Sequence, residues 1–246
     1  MDVHFLIKKF ISSWKPKYIF LVDSEIWPNL IIEAANNKIP LALVNARITN
    51  KTFKRWKIFP NTAKKIFNLF DLYLSSNNET KKYLSQLCTK EILDLGNLKL
   101  FNNFKNKKIN NINHKILEKK IFWLASSTHK GEEAFCIDAH LKIKTRIKEI
   151  VTIIAPRHLN RVHGVKKLCE NFNLKSQILN KGELIEKDKE IIIINSYGDL
   201  QNFYKYCSSV FMGKSMGRNL IKVGGQSPIE PAQLGCRVYH GPYVYN

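Results

Sequence analysis

The sequence lacks several features that would each mark a particular class of protein. No apolar run reaches the roughly 18 residues that a membrane-spanning helix needs. Residues 1–7 contain no basic segment, long apolar core or cleavage site, so we expect no secretory signal peptide. The five cysteines are odd in number and show no metal-binding spacing, which favours reduced thiols over zinc or a disulfide framework.

The chain carries a large excess of positive charge, but this excess does not identify a partner by itself. Forty Lys and Arg residues stand against twenty Asp and Glu residues, which gives a formal net charge of +20. Such a charge suits a polyanion, either nucleic acid or an anionic membrane surface. However, Lys rises together with Asn and Ile, as in residues 102–111, which is also the pattern of an AT-rich genome. The length of 246 residues suits two α/β halves of ordinary size.

Charged residues follow two predicted strands in the first half of the chain. Residues 17–22 form a nearly continuous apolar run, typical of a strand buried on both faces of a parallel sheet. Asp23 and Glu25 come directly after it, and Arg47 follows a second predicted strand over residues 40–45. Open α/β folds bind ligands at the carboxyl edge of their sheet. A surface ion pair between Asp23 and Arg47 would explain the same pattern without a function.

The alternation of strands and helices then continues to residue 99 and predicts βαβ units with a parallel sheet. The elements concerned are predicted helices over residues 61–70 and 79–87 and predicted strands over residues 71–75 and 91–95. Residues 101–117 are polar, rich in Asn and Lys and poor in apolar periodicity, so we predict a linker there.

The second half begins with a predicted strand over residues 121–125, followed by small polar residues. Ser127, Thr128 and His129 lie between this strand and a predicted helix. Hydroxyl groups and backbone N–H groups at such a junction can bind an anion. A plain N-cap turn would give the same pattern, so both interpretations stay open.

A basic residue follows the next predicted strand, over residues 149–155. This strand ends in the string Pro156-Arg157-His158. The planar guanidinium group of Arg157 can bind a phosphate through two hydrogen bonds. For His158, a packed or capping imidazole is the better interpretation.

The remaining strands are predicted over residues 190–195, 209–213 and 237–239. After the first of them, Tyr197-Gly198-Asp199-Leu200 is predicted to start a helix that ends at Tyr206. Together with the earlier elements, these strands predict an α/β fold with a second parallel sheet.

The most informative stretch lies near the C-terminus and reads Gly224-Gly225-Gln226-Ser227-Pro228-Ile229-Glu230-Pro231-Ala232. Ser227 is predicted to be the N-cap and Pro228 the first residue of a helix, because these residue types favour a helix start. Two glycines let a ligand approach the backbone, and a helix N-terminus attracts phosphate. Glu230 is then predicted to accept hydrogen bonds from the hydroxyls of a ribose. A capped helix without a ligand is the alternative.

Eight motifs along the chain resemble those of the Kdo transferases, which attach 3-deoxy-D-manno-octulosonic acid (Kdo) to the lipid A precursor. The resemblance covers nearly the whole chain, and the motifs come in the family's order. The resembling strings are Asp23-Ser24-Glu25-Ile26-Trp27-Pro28-Asn29, Asn45-Ala46-Arg47-Ile48, Gly96-Asn97-Leu98-Lys99, Ser126-Ser127-Thr128-His129-Lys130-Gly131-Glu132-Glu133, Pro156-Arg157-His158, Gly198-Asp199-Leu200, the stretch over residues 224–232, and Gly241-Pro242. Each motif alone is weak, but eight in register are a strong signal.

The resemblance implies a GT-B fold, in which two Rossmann-like domains face a cleft. It implies an incomplete, acceptor-side domain over residues 1–105 and, over residues 106–246, a domain that binds the donor CMP-Kdo and lacks its closing helices. By the same resemblance, Asp23 and Lys99 steady the transition state, and Glu25 is a further catalytic candidate. The residues that the resemblance assigns to substrate binding are Arg47, Ser127, Thr128, His129, Pro156, Arg157, Tyr197, Gly198, Asp199, Ser227, Pro228, Ile229 and Glu230.

The activity implied by the resemblance is the transfer of Kdo from CMP-Kdo to lipid IVA in lipopolysaccharide core biosynthesis. No cofactor or bound metal ion is implied, and the loops of the sequence offer no Asp-x-Asp metal pair. Negative charge on the leaving phosphate would then be stabilised by Arg157, Lys99 and a helix N-terminus. The implied partners are CMP-Kdo, lipid IVA and an anionic membrane surface, with no nucleic acid. The implied location is the cytoplasmic face of the bacterial inner membrane, as a peripheral protein.

The family's general base, a Glu in an early Gly-Glu motif, has no counterpart in residues 1–16. We therefore expect an interior fragment that lacks this base, the N-terminal anchor and the C-terminal helices. Such a fragment can be inactive, because general acid–base catalysis contributes about 10²–10⁴-fold. Two other functions stay open: a GT-B transferase with a UDP-sugar donor, and a basic nucleic-acid-binding module. The latter predicts strongly salt-dependent binding, but the aromatic residues are not interleaved with the basic runs as stacking on bases requires.

Overall fold

The computed structural model describes residues 2–101, 111–217, 220–221 and 224–244. The chain divides into two compact units, Met1–Asn102 and Asn103–Asn246. The predicted boundary between residues 105 and 106 lies outside the described residues. Each unit is built around a parallel sheet.

The first unit contains a four-stranded parallel sheet in the order β1-β2-β3-β4. Its strands are β1 (Ile19–Val22), β2 (Leu41–Ala46), β3 (Leu72–Ser75) and β4 (Leu93–Asp94). Its helices are α1 (His4–Trp14), α2 (Pro28–Asn36), α3 (Asn50–Ile58), α4 (Pro60–Phe67) and α5 (Asn78–Leu87), and a 3₁₀ turn covers Leu98–Phe101. At least one helix separates each strand from the next, as the sequence predicted, and two helices, α3 and α4, lie between β2 and β3.

Large apolar side chains from strands and helices form the core of the first unit. The central strand β2 reads Leu-Ala-Leu-Val-Asn-Ala and is buried along nearly its whole length, as expected for a strand covered on both faces. Phe67, Phe70 and Tyr73 are fully buried in the same core, and the Tyr73 hydroxyl donates to the Phe67 carbonyl at 2.5 Å. The helix predicted over residues 61–70 ends at Phe67, so Phe70 enters the core from the connection to β3.

Two helices of this unit, α1 and α3, have no counterpart in the prediction. α1 buries Ile7 and Ile11, which lie four residues apart on one face. α3 buries Phe53 and is capped by Thr49, whose hydroxyl accepts a hydrogen bond from the N–H of Thr52 at 3.3 Å. α1 thus buries two side chains and α3 buries one.

The second unit contains a six-stranded parallel sheet in the order β10-β9-β5-β6-β8-β7. Its strands are β5 (Phe122–Thr128), β6 (Val151–Pro156), β7 (Ser176–Asn180), β8 (Ile191–Asn195), β9 (Ser209–Met212) and β10 (Arg237–His240). Its helices are α6 (His114–Leu117), α7 (Glu132–Lys144), α8 (Val162–Asn171), α9 (Gln201–Tyr204) and α10 (Ile229–Gln233), and a 3₁₀ turn covers Leu159–Arg161.

Alternate residues of the central strands face two cores, one on each side of this sheet. Leu124 and Ile153 pack in one core, whereas their neighbours Ala125 and Ile154 pack in the other. This arrangement explains why the central strands are apolar at successive positions. Because all the strands are parallel, their carboxyl ends lie at one edge of the sheet, and the loops that follow them meet there.

Part of the stretch predicted to be a linker is folded into the second unit. Leu117 in α6 is 2% exposed, and Asn113 is 5% exposed. The side chain of Asn113 accepts from the N–H of Ile185 at 2.9 Å and donates to the carbonyl of Glu183 at 3.0 Å. The linker prediction is therefore wrong for residues 111–117, because the buried Asn113 pairs with backbone groups of the second unit and Leu117 packs in its core.

In the described part of the chain, no helix is both long enough and apolar enough to cross a membrane. Within the same residues, no three His, Cys, Asp or Glu side chains are grouped so that they could hold a metal ion.

Candidate functional site

In the first unit, a buried asparagine joins the loops that carry the predicted catalytic residues. Asn45, in β2, donates its side-chain amide to the carboxylate of Asp23, at the end of β1. The amide oxygen of Asn45 accepts a hydrogen bond from the N–H of Leu98 at 3.0 Å. Lys99 follows directly, and its N–H donates to the side chain of Asn97 at 3.0 Å. Asp23 and the turn that carries Lys99 thus belong to one hydrogen-bond network.

The backbone at this edge is held in a seldom-used conformation. Asp23 and Asn45 have φ values of +58° and +52°, in the left-handed region. Non-glycine residues seldom adopt this region, although Asn and Asp do so more readily than most. The pairing of β2 with β3 also shifts register between Leu43 and Ala46. Strained backbone persists where the surroundings fix it and often marks a functional site, which makes this edge a candidate.

Glu25 and Arg47 lie on the same two loops. The indole N–H of Trp27 donates to the Glu25 carboxylate at 2.7 Å. The backbone N–H of Arg47 donates to the carbonyl of Asp23 at 3.1 Å, and the Ser24 hydroxyl donates to the carbonyl of Arg47 at 2.9 Å. These bonds join the loops after β1 and β2, and they place Asp23, Glu25 and Arg47 at one edge of the first sheet.

In the second unit, the loops after β5 and β6 meet. The N–H of Arg157 donates to the carbonyl of Thr128 at 3.0 Å, and the rings of His129 and His158 lie edge to face with their centres 5.9 Å apart. Ser127 has a φ of +54°, and the register of β5 against β6 shifts at this residue. The structure therefore brings four predicted substrate-binding residues together, namely Arg157 after β6 and Ser127, Thr128 and His129 at the end of β5.

Two buried glutamates at the start of α7, Glu132 and Glu133, hold these loops through hydrogen bonds. No role was predicted for either of them from the sequence. Both carboxylates are 2% exposed. Glu133 accepts a hydrogen bond from the fully buried Thr128 hydroxyl at 2.8 Å and two from the Arg161 guanidinium at 2.7 and 2.8 Å. Glu132 accepts backbone N–H groups from the loops after β5 and β9. Acidic residues are ordinary in the first turn of a helix, so their position alone did not reveal this function.

The predicted turn over Tyr197, Gly198 and Asp199 follows β8 at the same edge of the second sheet. Gly198 has a φ of +83°, a conformation that favours glycine. The carbonyl of Asp199 accepts from the N–H of Asn202 at 3.0 Å, and the carbonyl of Asn202 accepts from the Asn111 side chain at 2.8 Å. Tyr197 is 66% exposed, so its ring is open to a ligand.

The stretch over residues 224–232 differs from the prediction where its helix begins. α10 starts at Ile229, and Pro228 rather than Ser227 takes the N-cap position, with no side-chain cap hydrogen bond. Pro228 has φ −86° and ψ 0°, which delays the first helical residue by one position. The prediction of Ser227 as N-cap and Pro228 as first helical residue is therefore wrong.

The Glu230 carboxylate lies within electrostatic range of the Tyr204 hydroxyl. Burial raises the pKa of Tyr204, a hydrogen bond with the Ser126 hydroxyl opposes this rise, and the charge of Glu230 adds to it. The two hydroxyl oxygens are 2.6 Å apart. Ser126 belongs to β5, and the contact of Glu230 with a ribose stays a prediction.

Sequence relatives match the chain along its whole length. Residues 1–102 match the family model described as 3-deoxy-D-manno-octulosonic-acid transferase (kdotransferase). The 3-deoxy-D-manno-octulosonic acid transferase of Haemophilus influenzae is 26% identical over 251 residues, which cover 100% of this chain and 58% of that protein. A probable mitochondrial 3-deoxy-D-manno-octulosonic acid transferase of Arabidopsis thaliana is 30% identical, with coverages of 99% and 56%. The chain thus spans little more than half the length of these curated relatives.

A solved structure gives the fold class. The putative UDP-N-acetylglucosamine 2-epimerase from Listeria monocytogenes matches with a TM-score of 0.62 at 16% identity, over 96% of this chain and 60% of that one. With the two parallel-sheet units, this likeness defines an α/β protein of the GT-B type, which confirms the predicted fold class. Within that class, the family model and the two curated relatives named above are those of Kdo transferases, the family that its motifs resemble.

Proposed function

We propose that this chain forms part of a glycosyltransferase that transfers Kdo from CMP-Kdo to lipid IVA, without a metal ion or cofactor. The observation that carries the proposal is that the family's motifs lie on loops tied together at the carboxyl edge of each sheet. In the first unit Asn45 joins these loops, and in the second unit Glu132 and Glu133 do so. The names of the relatives support the same activity.

The second unit is proposed to bind the donor. Arg157 is exposed on the loop after β6, where its guanidinium can pair with the donor phosphate and stabilise charge on the departing CMP. Residues 197–199 and 227–230 would complete the nucleotide contacts. Among them, Glu230 is proposed to accept hydrogen bonds from the ribose hydroxyls, because a carboxylate has two oxygens that can each accept.

The first unit is proposed to supply the reacting centre. As the bond between Kdo and the CMP phosphate breaks, positive charge develops on the sugar and negative charge on the phosphate. The Asp23 carboxylate and the Lys99 ammonium group carry the opposite signs that such a transition state requires. Asn45 holds the Asp23 carboxylate and the turn of Lys99 in fixed geometry, so little reorganisation is needed during the reaction.

Nucleotide binding by the full chain tests the donor site. Calorimetry is expected to detect CMP binding and a preference for CMP over UMP. Arg157→Gln should weaken CMP binding by about tenfold or more, because a hydrogen bond to a charged group contributes roughly 1.5–3 kcal/mol. Arg146→Gln is the matched control, since Arg146 is also exposed but lies before β6, at the opposite edge of the sheet. Equal affinity for CMP and UMP, or unchanged binding by Arg157→Gln, would contradict the proposal.

We propose further that α1 contacts an anionic membrane, which would suit a peripheral enzyme with a lipid acceptor at the cytoplasmic face of the inner membrane. Phe5 and Trp14 on α1 are 72% and 78% exposed, and Lys8 and Lys9 are exposed beside them. Aromatic rings enter the headgroup layer of a membrane, and lysines bind anionic headgroups.

Sedimentation with vesicles tests the membrane contact. The chain should sediment with phosphatidylglycerol vesicles and much less with phosphatidylcholine vesicles. Trp14→Ser should reduce the bound fraction, whereas Phe172→Ser in the second unit, where Phe172 is 47% exposed, should not. Equal losses in both variants would mean that α1 is not the contact.

A further inference from the structure

Glu132 makes more backbone contacts than an acidic residue at a helix start normally makes. Its carboxylate oxygen Oε1 accepts from the N–H of Ser215 at 2.7 Å and of Met216 at 3.0 Å. Oε2 accepts from the N–H of Lys214 at 2.7 Å and of His129 at 2.8 Å. Hydrogen bonds to an ionised acceptor are roughly twice as strong as neutral ones. This buried carboxylate therefore ties the loop after β9 to the loop after β5.

Three consecutive N–H groups of the β9 loop converge on this one anion. Lys214 has a φ of +59°, and the N–H groups of residues 214–216 form a nest, the kind of backbone concavity in which proteins bind phosphate. Here the bound anion is the protein's own carboxylate. Because the Glu132 carboxylate occupies this nest, a donor phosphate has to be bound by other groups, such as Arg157.

The loop that Glu132 holds is itself the support of the glycine segment. The carbonyl of Lys214 accepts from the N–H of Gly225 at 2.7 Å. Gly224 approaches the same oxygen so closely that a Cβ on it would lie only 2.9 Å away. Residues 227–230, the proposed nucleotide contacts, follow directly. A displacement of Lys214 would therefore be passed on to the glycine segment through the backbone.

The same loop supports the segment after β10. The Ser215 hydroxyl accepts from the N–H of Gly241 at 2.9 Å, and the Ser215 carbonyl accepts from the N–H of Tyr243 at 3.0 Å. A Cβ on Gly241 would lie 2.3 Å from the Ser215 carbonyl oxygen. Two segments at the carboxyl edge of the second sheet thus take their position from residues 214–216.

We propose that Glu132 is a positioning residue for donor binding, whose charge holds residues 214–216 in the geometry that presents the glycine segment to the nucleotide. The inference rests on the proposed function of the second unit as the donor site. Glu132 acts through the loop and makes no contact with the donor itself.

Glu132→Gln tests whether the charge of this side chain is needed. An amide has one acceptor oxygen, and its NH₂ group would face N–H donors, so about half of the bonds are lost. The affinity of the full chain for CMP should fall by about 10–100-fold, as for other small displacements of binding groups. Hydrogen exchange at the amides of residues 214–216 should become faster at the same time.

Glu190→Gln is the matched control. Glu190 is a partly buried glutamate of the same unit that accepts the N–H of Lys175 at 3.2 Å. It lies at the start of β8, at the opposite edge of the sheet from the glycine segment. This control should lower stability but leave CMP affinity unchanged.

Glu132→Ala provides a rescue experiment, because it empties the nest. Added formate, a free carboxylate, is expected to restore much of the CMP affinity of this variant and to leave the unsubstituted chain unaffected. A loss of folding would not be reversed in this way.

Two results would overturn the positioning role: unchanged CMP affinity in Glu132→Gln, or a loss in Glu132→Ala that formate does not reduce. If the unsubstituted chain binds no CMP, the proposed function fails instead, and the role of Glu132 in donor binding fails with it.

Discussion

Replacing Gly213 by alanine should destabilise the second unit, because Gly213, directly after β9, lies against the last residues of β5. A Cβ on Gly213 would lie 2.4 Å from the carbonyl oxygen of Ser127 and 2.7 Å from the Cα of Thr128. Both are backbone atoms, so one of the two segments has to move by about 1 Å to reach an ordinary contact. The N–H of Gly213 also donates to the carbonyl of Ser126 at 2.8 Å, and this bond would lengthen.

The expected loss of stability follows from these two effects. Overpacking a tight site costs about 1–3 kcal/mol, and a hydrogen bond contributes about 0.5–1.5 kcal/mol. We therefore expect the free energy of unfolding to fall by about 2–4 kcal/mol. This is a large part of the roughly 5–15 kcal/mol that stabilises a typical domain, and it should move a urea midpoint by about 1–2 M.

Urea unfolding of the full chain, followed by far-ultraviolet circular dichroism, measures this change. Gly164→Ala is the control, because Gly164 lies in α8 and a Cβ there would meet open space. The same substitution should therefore stabilise that helix by about 0.4–1 kcal/mol. An unchanged or higher midpoint for Gly213→Ala, with an unchanged slope, would refute the close approach of Gly213 to the end of β5.

Two further predictions concern titration and one concerns a buried hydrogen bond. Burial lowers the pKa of His140, against the opposing charge of Glu190. The unfolded chain takes up this proton near the ordinary pKa of about 6.5, so stability is complete above that pH and falls below it. Urea midpoints at pH 7.5 and pH 5.5 should show the fall, and His140→Asn should remove most of it; an equal fall in the variant would contradict this assignment. Burial raises the pKa of Cys207 to about 12, so a thiol reagent at neutral pH should label it only after denaturation, and rapid labelling of the native chain would disprove its burial. Tyr73→Phe leaves the Phe67 carbonyl without its donor and should cost about 1–3 kcal/mol in thermal or urea unfolding; no loss would mean that another group replaces the hydroxyl.

Much of the fold can be predicted from the sequence, because its main strands are apolar runs with clear ends. The strand predicted over residues 190–195 is a run of four isoleucines, and β8 covers Ile191–Asn195. In contrast, β7 (Ser176–Asn180) was not predicted, because it is an edge strand with two polar residues at its start. An edge strand has only one neighbouring strand and needs fewer apolar residues. It is therefore hard to predict from a pattern of apolar residues.

The candidate site could be predicted only in part, for a related reason. Parallel strands bring the loops after them to one edge, so the proximity of Asp23 and Arg47 could be inferred from two strand ends. The residues that hold these loops together by hydrogen bonds could not be predicted, because their partners are distant in the sequence. Glu132 and Lys214, for example, are 82 positions apart. Local patterns contain no information about such pairs.

Asn45 and Ser127 show how both sheets place their loops. Each is the second-last residue of its strand, each has a left-handed φ, and each coincides with one extra residue in its own strand relative to the neighbouring one. The extra residue reverses the alternation of side chains before the strand has ended. Transplanting either loop to another parallel scaffold would therefore require the bent strand end as well, since a cut at the apparent start of the loop would leave its side chains facing the wrong way.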